Sequence, residues 1–340
     1  MPQVPRQDKA PTSADVARAA GVSRTTVSFV LNDVPGSGIS DATREKVLAA
    51  VRELGYAPNA GARALRAGTG NLVVYAMPRW PLGPAINSVI ERTRAALADR
   101  GLVLLVHGDR SLTGTDAALA WAELRPRAVI ADTDRCTAES VDLLRRHGVR
   151  TVVLVGEEDV PFAPTVRLAQ RKVGRVAARH LLDRGHRRIA AIVPTGDLAE
   201  PGELRYAGLA AEVATTGLAV ARHDLGFDHD AALALARAWA ADPDGRPRAL
   251  FAYNDEFAAL MLRALRDAGL SVPGDIAVLG VDDTPLCELV QPRLSSVALH
   301  TSDFAEAHVR VLLELLDRGP HEPWPELPEN EPRVVVRDSA

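Results

Sequence analysis

The chain has 340 residues, 47% of them hydrophobic, so it can bury a substantial core and should form two or three domains. Residues 1–70 hold 9 Lys and Arg against 6 Asp and Glu (+3), and the rest hold 31 against 38 (−7), which gives the net charge of −4. The mildly basic charge of residues 1–70 fits an anionic partner for that part alone. The alternative is that these charges are ordinary solvated surface residues.

Cysteine usage and the first residues bear on the compartment. Cys136 and Cys287 are the only cysteines and form no CxxC pair, which fits a reduced cytosolic protein. The opening MPQVPRQDKAPT lacks the apolar region of an export signal, and apolar runs such as LVLLV are too short to span a bilayer. We therefore expect a cytoplasmic protein with no membrane partner, no metal and no cofactor.

Two short helical patterns begin the ordered part of the chain. After a polar tail at residues 1–11, predicted to be disordered, Thr12 and Asp15 have the spacing of a capping box. This spacing predicts a first helix that ends at Gly21, and Ser23 can cap a second helix directly after the break.

A third helix and a weak linker complete this front part. Ser40 can cap a helix that stops at Gly55, so residues 12–57 are predicted to close one small core. Within residues 58–70, a helix limited to Ala60–Arg66 is marginal alone in water. We expect this segment to be a linker that folds only against something else.

From Leu72 onward, short apolar runs alternate with amphipathic helices, which is the pattern of parallel sheets covered by helices on both faces. The predicted strands are LVVYAM, LVLLVH, AVIAD, TVVLVG, RRIAAIV, RALFAY and DIAVLGV. Predicted helices include residues 86–100, 173–184, 256–268 and 301–317. So many runs in residues 71–340 predict two doubly wound lobes, with QPRLSSVALH returning the chain to the first. The predicted ranges are about 71–168 and 298–320 for lobe 1, and about 169–290 and 330–340 for lobe 2.

The first two helices have the form of a helix-turn-helix unit, whose second helix enters the DNA major groove and reads base edges with its N-terminal part. Arg24 and Thr25 lie at that position, where Arg donates two hydrogen bonds to guanine and Thr contacts bases or the thymine methyl. Ser28 and Phe29 share their side, and Phe29 either covers a thymine methyl or packs against the third helix. The alternative for the whole segment is a helical cap domain. The candidate DNA-binding residues of the head are Thr12, Arg24, Thr25, Thr26, Ser28, Phe29 and Asn32.

Five motifs along the chain carry a family resemblance. They are DVARAAGVSRTTVSFVLN, TREKVLAAVRELGYAPNAGARALR, HLLDRGHRRIA, NDEFAALMLRALRDAGLSVPGDIAVLGVDDTPL and the closing VVVRDSA. Together they resemble the lactose/galactose repressor (LacI/GalR) family over nearly the whole chain. The resemblance implies a transcription regulator that acts as a repressor: a homodimer with all-α heads that bind a near-palindromic operator. It also implies an α/β, periplasmic-binding-protein-like body of two doubly wound parallel-sheet lobes that senses a small molecule.

The resemblance also implies a role for the linker. In the family, hinge helices of the two subunits form on the operator and insert a leucine into the minor groove. Leu65 holds that position, beside Asn59, Ala62 and Arg66. Unstacking a base step costs a few kcal/mol and is offset by contacts on the bent duplex. Without the resemblance, Leu65 is interpreted as a linker residue that folds onto the body.

A ligand cleft is predicted at the strand ends of the body. Ligands of open α/β sheets bind beyond the carboxyl ends of the strands, where Asn254 and Asp282 lie. The family has an arginine at the position of Arg205 that holds ligand hydroxyls or carboxylates; spacing alone makes Arg205 an exposed helix residue. An amide, a carboxylate and a guanidinium together suit a sugar or another polyol.

Two departures from the family bear on the ligand. Ala169-Gln170 replaces a common Asp-Asn pair, which leaves Gln170 as the candidate ligand contact there. Trp80, in PRWPLGPAIN, either stacks on a ligand ring or caps the cleft edge. These changes leave room for a nucleoside, an acidic metabolite or no ligand.

Two rival functions share the predicted body fold. A solute-binding protein requires an export signal and has no helix-turn-helix. An enzyme is disfavoured because the chain lacks the G-x-x-x-x-G-K-[ST], G-x-S-x-G and H-E-x-x-H motifs. The sequence therefore predicts a non-enzymatic regulator, and a homodimer because one head reads only a half-site.

Overall fold

The structure is a computed structural model that describes residues 11–31, 37–56, 70–79, 84–299, 301–318, 324 and 331–340. The chain divides into two compact units, Met1–Gly70 and Asn71–Ala340. Residues 1–10 and 57–69, which hold most of the predicted tail and linker, lie outside the described part. So do the candidates Asn32, Asn59, Ala62, Leu65, Arg66 and Trp80.

Three helices form the first unit: α1 (Ser13–Ala20), α2 (Arg24–Leu31) and α3 (Asp41–Glu53). The predicted caps are present, since the Asp15 carboxylate accepts a hydrogen bond from the Thr12 amide at 2.9 Å and the Ser40 hydroxyl accepts one from the Thr43 amide at 3.3 Å. Apolar residues at helical spacing close one small core: Val16, Ala17, Val27, Val30, Val47 and Ala50. The predicted three-helix head is confirmed.

Nine further helices are described in the second unit, together with two short 3-10 turns at Thr133–Arg135 and Gly196–Leu198. They are α4 (Pro84–Ala98), α5 (Gly114–Glu123), α6 (Ala138–Arg146), α7 (Gln170–Asp183), α8 (Ala199–Ala214), α9 (His229–Ala241), α10 (Asp255–Asp267), α11 (Leu286–Leu289) and α12 (Thr301–Arg318). None of the helices that the structure describes is both long and apolar enough to cross a membrane.

Five parallel strands form the first sheet of this unit, in the order β2-β1-β3-β4-β5. They are β1 (Leu72–Ala76), β2 (Val103–His107), β3 (Ala128–Asp132), β4 (Thr151–Gly156) and β5 (Thr165–Arg167). Side chains alternate between two cores, because successive strand residues point to opposite faces. Helices α4 and α12 cover one face, and α5 and α6 cover the other.

Six strands form the second sheet, in the order β11-β10-β9-β8-β6-β7, with only β11 antiparallel. They are β6 (Ile189–Pro194), β7 (Val220–Leu225), β8 (Ala249–Ala252), β9 (Ala277–Val281), β10 (Ser295–Ala298) and β11 (Arg333–Val335). Helices α7 and α8 pack on one face, and α9 and α10 pack on the other. Two doubly wound lobes, as predicted, are therefore confirmed.

The seven apolar runs predicted as strands are all present, and β5, β7, β10 and β11 are not among them. β7 is an edge strand whose sequence, VARHDL, is half-exposed and charged, so it lacks an apolar run. β10 contains two buried serines. Since β10 belongs to the second sheet, the return to the first lobe comes only at α12, later than predicted from QPRLSSVALH.

Candidate functional site

The turn between α1 and α2 sets the direction of the second helix. Gly21 has a φ of 67°, a left-handed conformation that suits glycine, and the Val22 amide donates to the Ala17 carbonyl at 3.0 Å. The Ser23 hydroxyl then accepts a hydrogen bond from the Thr26 amide at 3.0 Å. α2 therefore starts from a capped turn, and contacts within residues 17–26 determine the geometry of that turn.

Burial of Val27 and Val30 determines which side of α2 faces outward. Arg24 and Thr25 are exposed, and Phe29 keeps 39% of its surface accessible. Moving a phenyl ring out of water is favourable, so this exposed ring is available for contact with a partner. In a helix-turn-helix unit the outward side of the second helix meets base edges, so these three exposed residues remain the candidates for that contact.

Other head candidates have local partners. The Thr12 hydroxyl donates to the Asp15 carboxylate at 2.7 Å, and the hydroxyls of Ser23 and Thr26 lie 2.9 Å apart. Ser28 is half-buried on α2. Thr12 and Thr26 thus stabilise helix ends. The sequence pattern alone does not distinguish this capping role from a role in DNA contact.

The body brings three candidates together around one buried guanidinium. Arg205, on α8, is 5% exposed, so its interpretation as an exposed helix residue is wrong. Its nitrogens donate to Gln170 Oε1 at 2.6 Å, to the Tyr253 carbonyl at 2.6 Å and to Asp282 Oδ1 at 3.1 Å. The guanidinium carbon also lies 4.7 Å from the centre of the Tyr253 ring.

The charge of Arg205 is maintained by its neighbours. Burial is the largest single effect and acts against the charged form, but the charge and hydrogen bond of Asp282, together with Tyr253 and Asp255, outweigh it, so the pKa of Arg205 is raised above its usual value. The three contacts engage three of the five N–H donors of a guanidinium. The positive charge of Arg205 is therefore already balanced by Asp282 before any ligand binds.

A close crossing of α7 and α8 places Arg205 beside Gln170. A Cβ atom on Gly174 would lie 2.0 Å from the Arg205 carbonyl oxygen, and one on Gly208 would lie 2.0 Å from the Arg171 carbonyl oxygen. Only glycine allows the two backbones to approach so closely. The site therefore depends on two glycines that carry no functional group.

The N-terminus of α7 takes its cap from the first lobe. Ala169 precedes the helix with a φ of 52° and has no side chain that could cap it. The carboxylate of Glu157, just after β4, accepts hydrogen bonds from the amides of Gln170 at 2.7 Å and Arg171 at 2.9 Å. The missing acidic residue at position 169 is thus replaced, as a cap, by a residue from the neighbouring lobe.

A buried carboxylate supports the loop that carries Asp282. Asp282 and Asp283 have φ values of 99° and 48°, which are strained for residues other than glycine. Asp255, 1% exposed, accepts hydrogen bonds from the Thr284 amide at 2.7 Å and the Ser296 hydroxyl at 2.6 Å. Burial raises the pKa of Asp255, and these hydrogen bonds oppose the rise. Sequence reasoning missed this residue.

Asn254 lies at the predicted strand end and is 7% exposed, but its side chain already has a structural role. Its carbonyl oxygen accepts a hydrogen bond from the Phe257 amide at 3.0 Å and so caps α10. Its amide nitrogen lies 3.5 Å from the Glu256 carboxylate. Asn254 therefore differs from Gln170 and Asp282, which both accept hydrogen bonds from Arg205.

The first sheet also has a polar edge, which sequence reasoning missed. Asp132 ends β3 and is 7% exposed, and Arg135, in the following turn, is fully buried. Arg135 donates to the backbone carbonyls of Met77, Asp109 and Leu112. Asp132 closes the strand AVIAD, so the strand-end rule that identified Asn254 and Asp282 applies to it as well.

The two cysteine thiols of the body are in unreactive surroundings. Cys136 and Cys287 are buried and unpaired, and burial raises the pKa of each thiol to about 12. Within the described ranges, no group of three or more His, Cys, Asp or Glu side chains is placed to hold a metal ion.

Comparisons with known proteins agree with both units. A model described as bacterial regulatory proteins, lacI family, matches residues 12–59, and one described as a periplasmic binding protein-like domain matches residues 178–340. The HTH-type transcriptional repressor PurR of Vibrio campbellii is 30% identical over 338 residues, which cover 96% of this chain and 98% of that protein. The ribose operon repressor of Escherichia coli is 30% identical over 312 residues, which cover 89% of this chain and 92% of that protein.

Solved structures support the same fold. The crystal structure of the Lac repressor dimer bound to operator and the anti-inducer ONPF superposes with a TM-score of 0.78 at 23% identity, over 97% of this chain and 99% of that one. Both curated relatives are transcriptional repressors, not enzymes, and they match this chain through head and body alike. The chain belongs to the LacI family of bacterial regulatory proteins and is a DNA-binding transcriptional regulator.

Proposed function

We propose that this regulator is a repressor that binds a near-palindromic operator as a homodimer and is controlled by a small polar effector in the body. The single observation that carries the proposal is the outward side of α2, where Arg24, Thr25 and Phe29 are exposed on a helix capped by Ser23. The names of the two curated relatives support repression rather than activation.

The test of DNA recognition begins with an operator selected from random duplex DNA by the full-length protein. Arg24→Ala is expected to weaken binding to it by about 1–3 kcal/mol and to relax the preference at one symmetric pair of positions. Arg52→Ala, an exposed arginine on α3, is the matched control and should keep the sequence preference. An equal loss on all DNA sequences would make Arg24 a phosphate contact instead.

Exposed apolar side chains support the homodimer. β2 is an edge strand of the first sheet, and Val103 is 52% exposed and Val106 38% exposed on it. An edge strand with apolar residues exposed invites pairing with another chain. Light scattering at micromolar concentration should show a dimer, and Val103→Lys should shift it toward monomer. Leu119→Lys, on the outer helix α5, is the control that should stay dimeric.

The linker is proposed to act as a hinge that orders on the operator. Asn59, Ala62, Leu65 and Arg66 lie outside the described residues, so their roles rest on the family pattern alone. Leu65→Ala is expected to reduce operator affinity and DNA bending together, while non-specific binding, which rests on phosphate charge, changes little. A variant that bends the operator like the parent would reduce the hinge to a tether.

The effector is proposed to bind at the carboxyl ends of the strands, near Arg205, Gln170 and Asp282, with Asn254 and Trp80 as further candidates. The convergence of the first three on one buried cluster supports this location. Thermal-shift screening of sugars, nucleosides and organic acids, followed by operator titration with each hit, tests whether the ligand releases or promotes DNA binding.

The remaining assignments follow from DNA binding. We propose that the protein acts in the cytoplasm, where a bacterial operator is accessible. The domain boundaries are proposed as a head at 12–57, a hinge at 58–70 and a body at 71–340. Limited proteolysis with mass spectrometry should cut first between residues 57 and 71.

A further inference from the structure

Asp132 presents a buried carboxylate oxygen without a partner. Asp132 is the last residue of β3, the central strand of the first sheet, and it is only 7% exposed. Its Oδ2 atom is inaccessible to solvent and has no hydrogen-bond partner in the described part of the chain. A buried polar group without a partner costs free energy, so such an atom requires an explanation.

The neighbours of Asp132 make the region negative. Asp134 follows in the next turn, and Glu200, at the start of α8 in the second lobe, is close enough for its charge to act on Asp132. Asp132 and Glu200 lie at or beyond the carboxyl ends of parallel strands, one in each sheet, and these strand ends border the cleft between the two lobes. A ligand in that cleft would meet carboxyl groups from both lobes.

The cations described near these carboxylates are already engaged. Arg135 donates to three backbone carbonyls and stacks on the Trp121 ring at 5.1 Å, Arg79 lies 3.9 Å from Asp134, and Arg205 is paired with Asp282. None of these cations forms a hydrogen bond with Asp132 among the described residues. The unpaired oxygen of Asp132 can therefore accept a hydrogen bond. The group that complements it best is a positively charged donor.

We propose that the effector carries a protonated amine that donates a hydrogen bond to Asp132, while its polar remainder contacts the cluster around Arg205. This inference rests on the proposed function, because it takes the cleft to be the effector site. It specifies the ligand class as a small amine-bearing polar molecule, such as an amino sugar or a short diamine. A neutral polyol has no positive charge with which to stabilise the ionised form of Asp132.

Binding of such an amine moves one proton. Burial, together with the charges of Asp134 and Glu200, raises the pKa of Asp132 to about 8 against the opposing charge of Arg135. At neutral pH the empty cleft therefore holds Asp132 mainly as the neutral acid. When the ammonium group of the ligand arrives, the carboxyl proton passes to the buffer and the carboxylate pairs with the ammonium.

The experiment uses matched amine and hydroxyl probes on the full-length protein: D-glucosamine with D-glucose, putrescine with 1,4-butanediol, and ethanolamine with ethylene glycol. Thermal shift selects binders and calorimetry measures their affinity. We expect at least one amine to bind ten or more times as tightly as its hydroxyl counterpart. Calorimetry in buffers of different ionisation enthalpy should show about one proton released per amine bound at pH 7.

Two variants make the test specific. Asp132→Asn should remove both the amine preference and the proton release, with its melting temperature showing that it is folded. Asp116→Asn, an exposed residue of α5 in the same lobe, is the matched control and should retain both. The inference is overturned if no amine binds, if amine and hydroxyl probes bind equally, or if Asp132→Asn keeps the amine preference.

The outcomes also separate this inference from the proposed function. If a hydroxyl probe binds, loses affinity in Asp282→Asn and is unaffected by Asp132→Asn, the cleft remains the effector site and the amine inference fails. If a probe binds but neither substitution changes its affinity, the location of the effector site fails as well, and the amine inference fails with it.

Discussion

The carboxyl edges of the two sheets differ in how their polar groups are satisfied. In the second lobe, Arg205 is held by Gln170, Asp282 and the Tyr253 carbonyl, and Asp255 accepts hydrogen bonds from its own loop. In the first lobe, Asp132 is as deeply buried but its Oδ2 has no partner among the described residues. A paired edge is rigid without ligand, whereas an unpaired edge is where a ligand gains most from supplying the missing group.

Breaking the paired edge should have the largest effect on stability. Arg205→Met leaves Asp282 and Gln170 without their donor in a buried site, so the free energy of unfolding should fall by about 3–5 kcal/mol. The measurement is urea denaturation of the full-length protein. The double variant Arg205→Met/Asp282→Leu removes the orphaned charge and should recover part of the loss. Equal stability of the single variant and the parent would mean that the cluster contributes little.

Neutralising the unpaired edge should instead stabilise the protein, and more so at high pH. The folded pKa of Asp132 is raised to about 8 by burial and by the nearby Asp134 and Glu200, with Arg135 opposing, whereas the unfolded value is near 4. Between these values only the unfolded chain loses the proton, so stability falls as pH rises toward 8 and the loss is complete above it.

Asp132→Asn removes this titration. Its advantage over the parent should grow from pH 4 to pH 8.5 by a few kcal/mol, at ~1.4 kcal/mol per pKa unit. Melting temperatures of both proteins across this range provide the measurement, with Asp116→Asn as the control. An advantage that does not change with pH would show that Asp132 is charged in the folded protein.

The third prediction concerns the helix crossing behind the paired edge. Gly208→Ala places a methyl group against the Arg171 carbonyl and should destabilise the protein by about 1–3 kcal/mol while separating Arg205 from Gln170. Gly226→Ala, whose added carbon would meet only the Thr195 hydroxyl at 3.5 Å, is the matched control in the same lobe. Equal melting temperatures for the two variants would argue against a tight crossing.

The smallest effect is expected at the cap that joins the lobes. Glu157→Gln weakens the hydrogen bonds to the amides at the start of α7 and should cost about 1 kcal/mol in urea denaturation. Glu158→Gln changes the same charge on an exposed neighbour and should cost nothing measurable. If both variants lose the same amount, the contribution is general charge and not the cap.

The head and the main strands were predictable because their signals are local. The Thr12–Asp15 pair, Gly21 and the Ser23 and Ser40 caps act over three or four residues, so their spacing alone predicts where α1, α2 and α3 begin and end. The seven apolar runs likewise predict their strands, because burial of a strand requires only its own side chains to be apolar.

The site itself was decided by tertiary contacts between residues distant in sequence. Arg205 resembles an exposed helix residue until the Gly174–Gly208 crossing buries it, and Glu157 becomes a cap only when the two lobes come together. Asp132 ends an ordinary strand, and only the fold leaves its oxygen without a partner. Burial and pairing depend on which groups meet in space, and periodicity along the chain carries no information about partners 35 or 77 residues away.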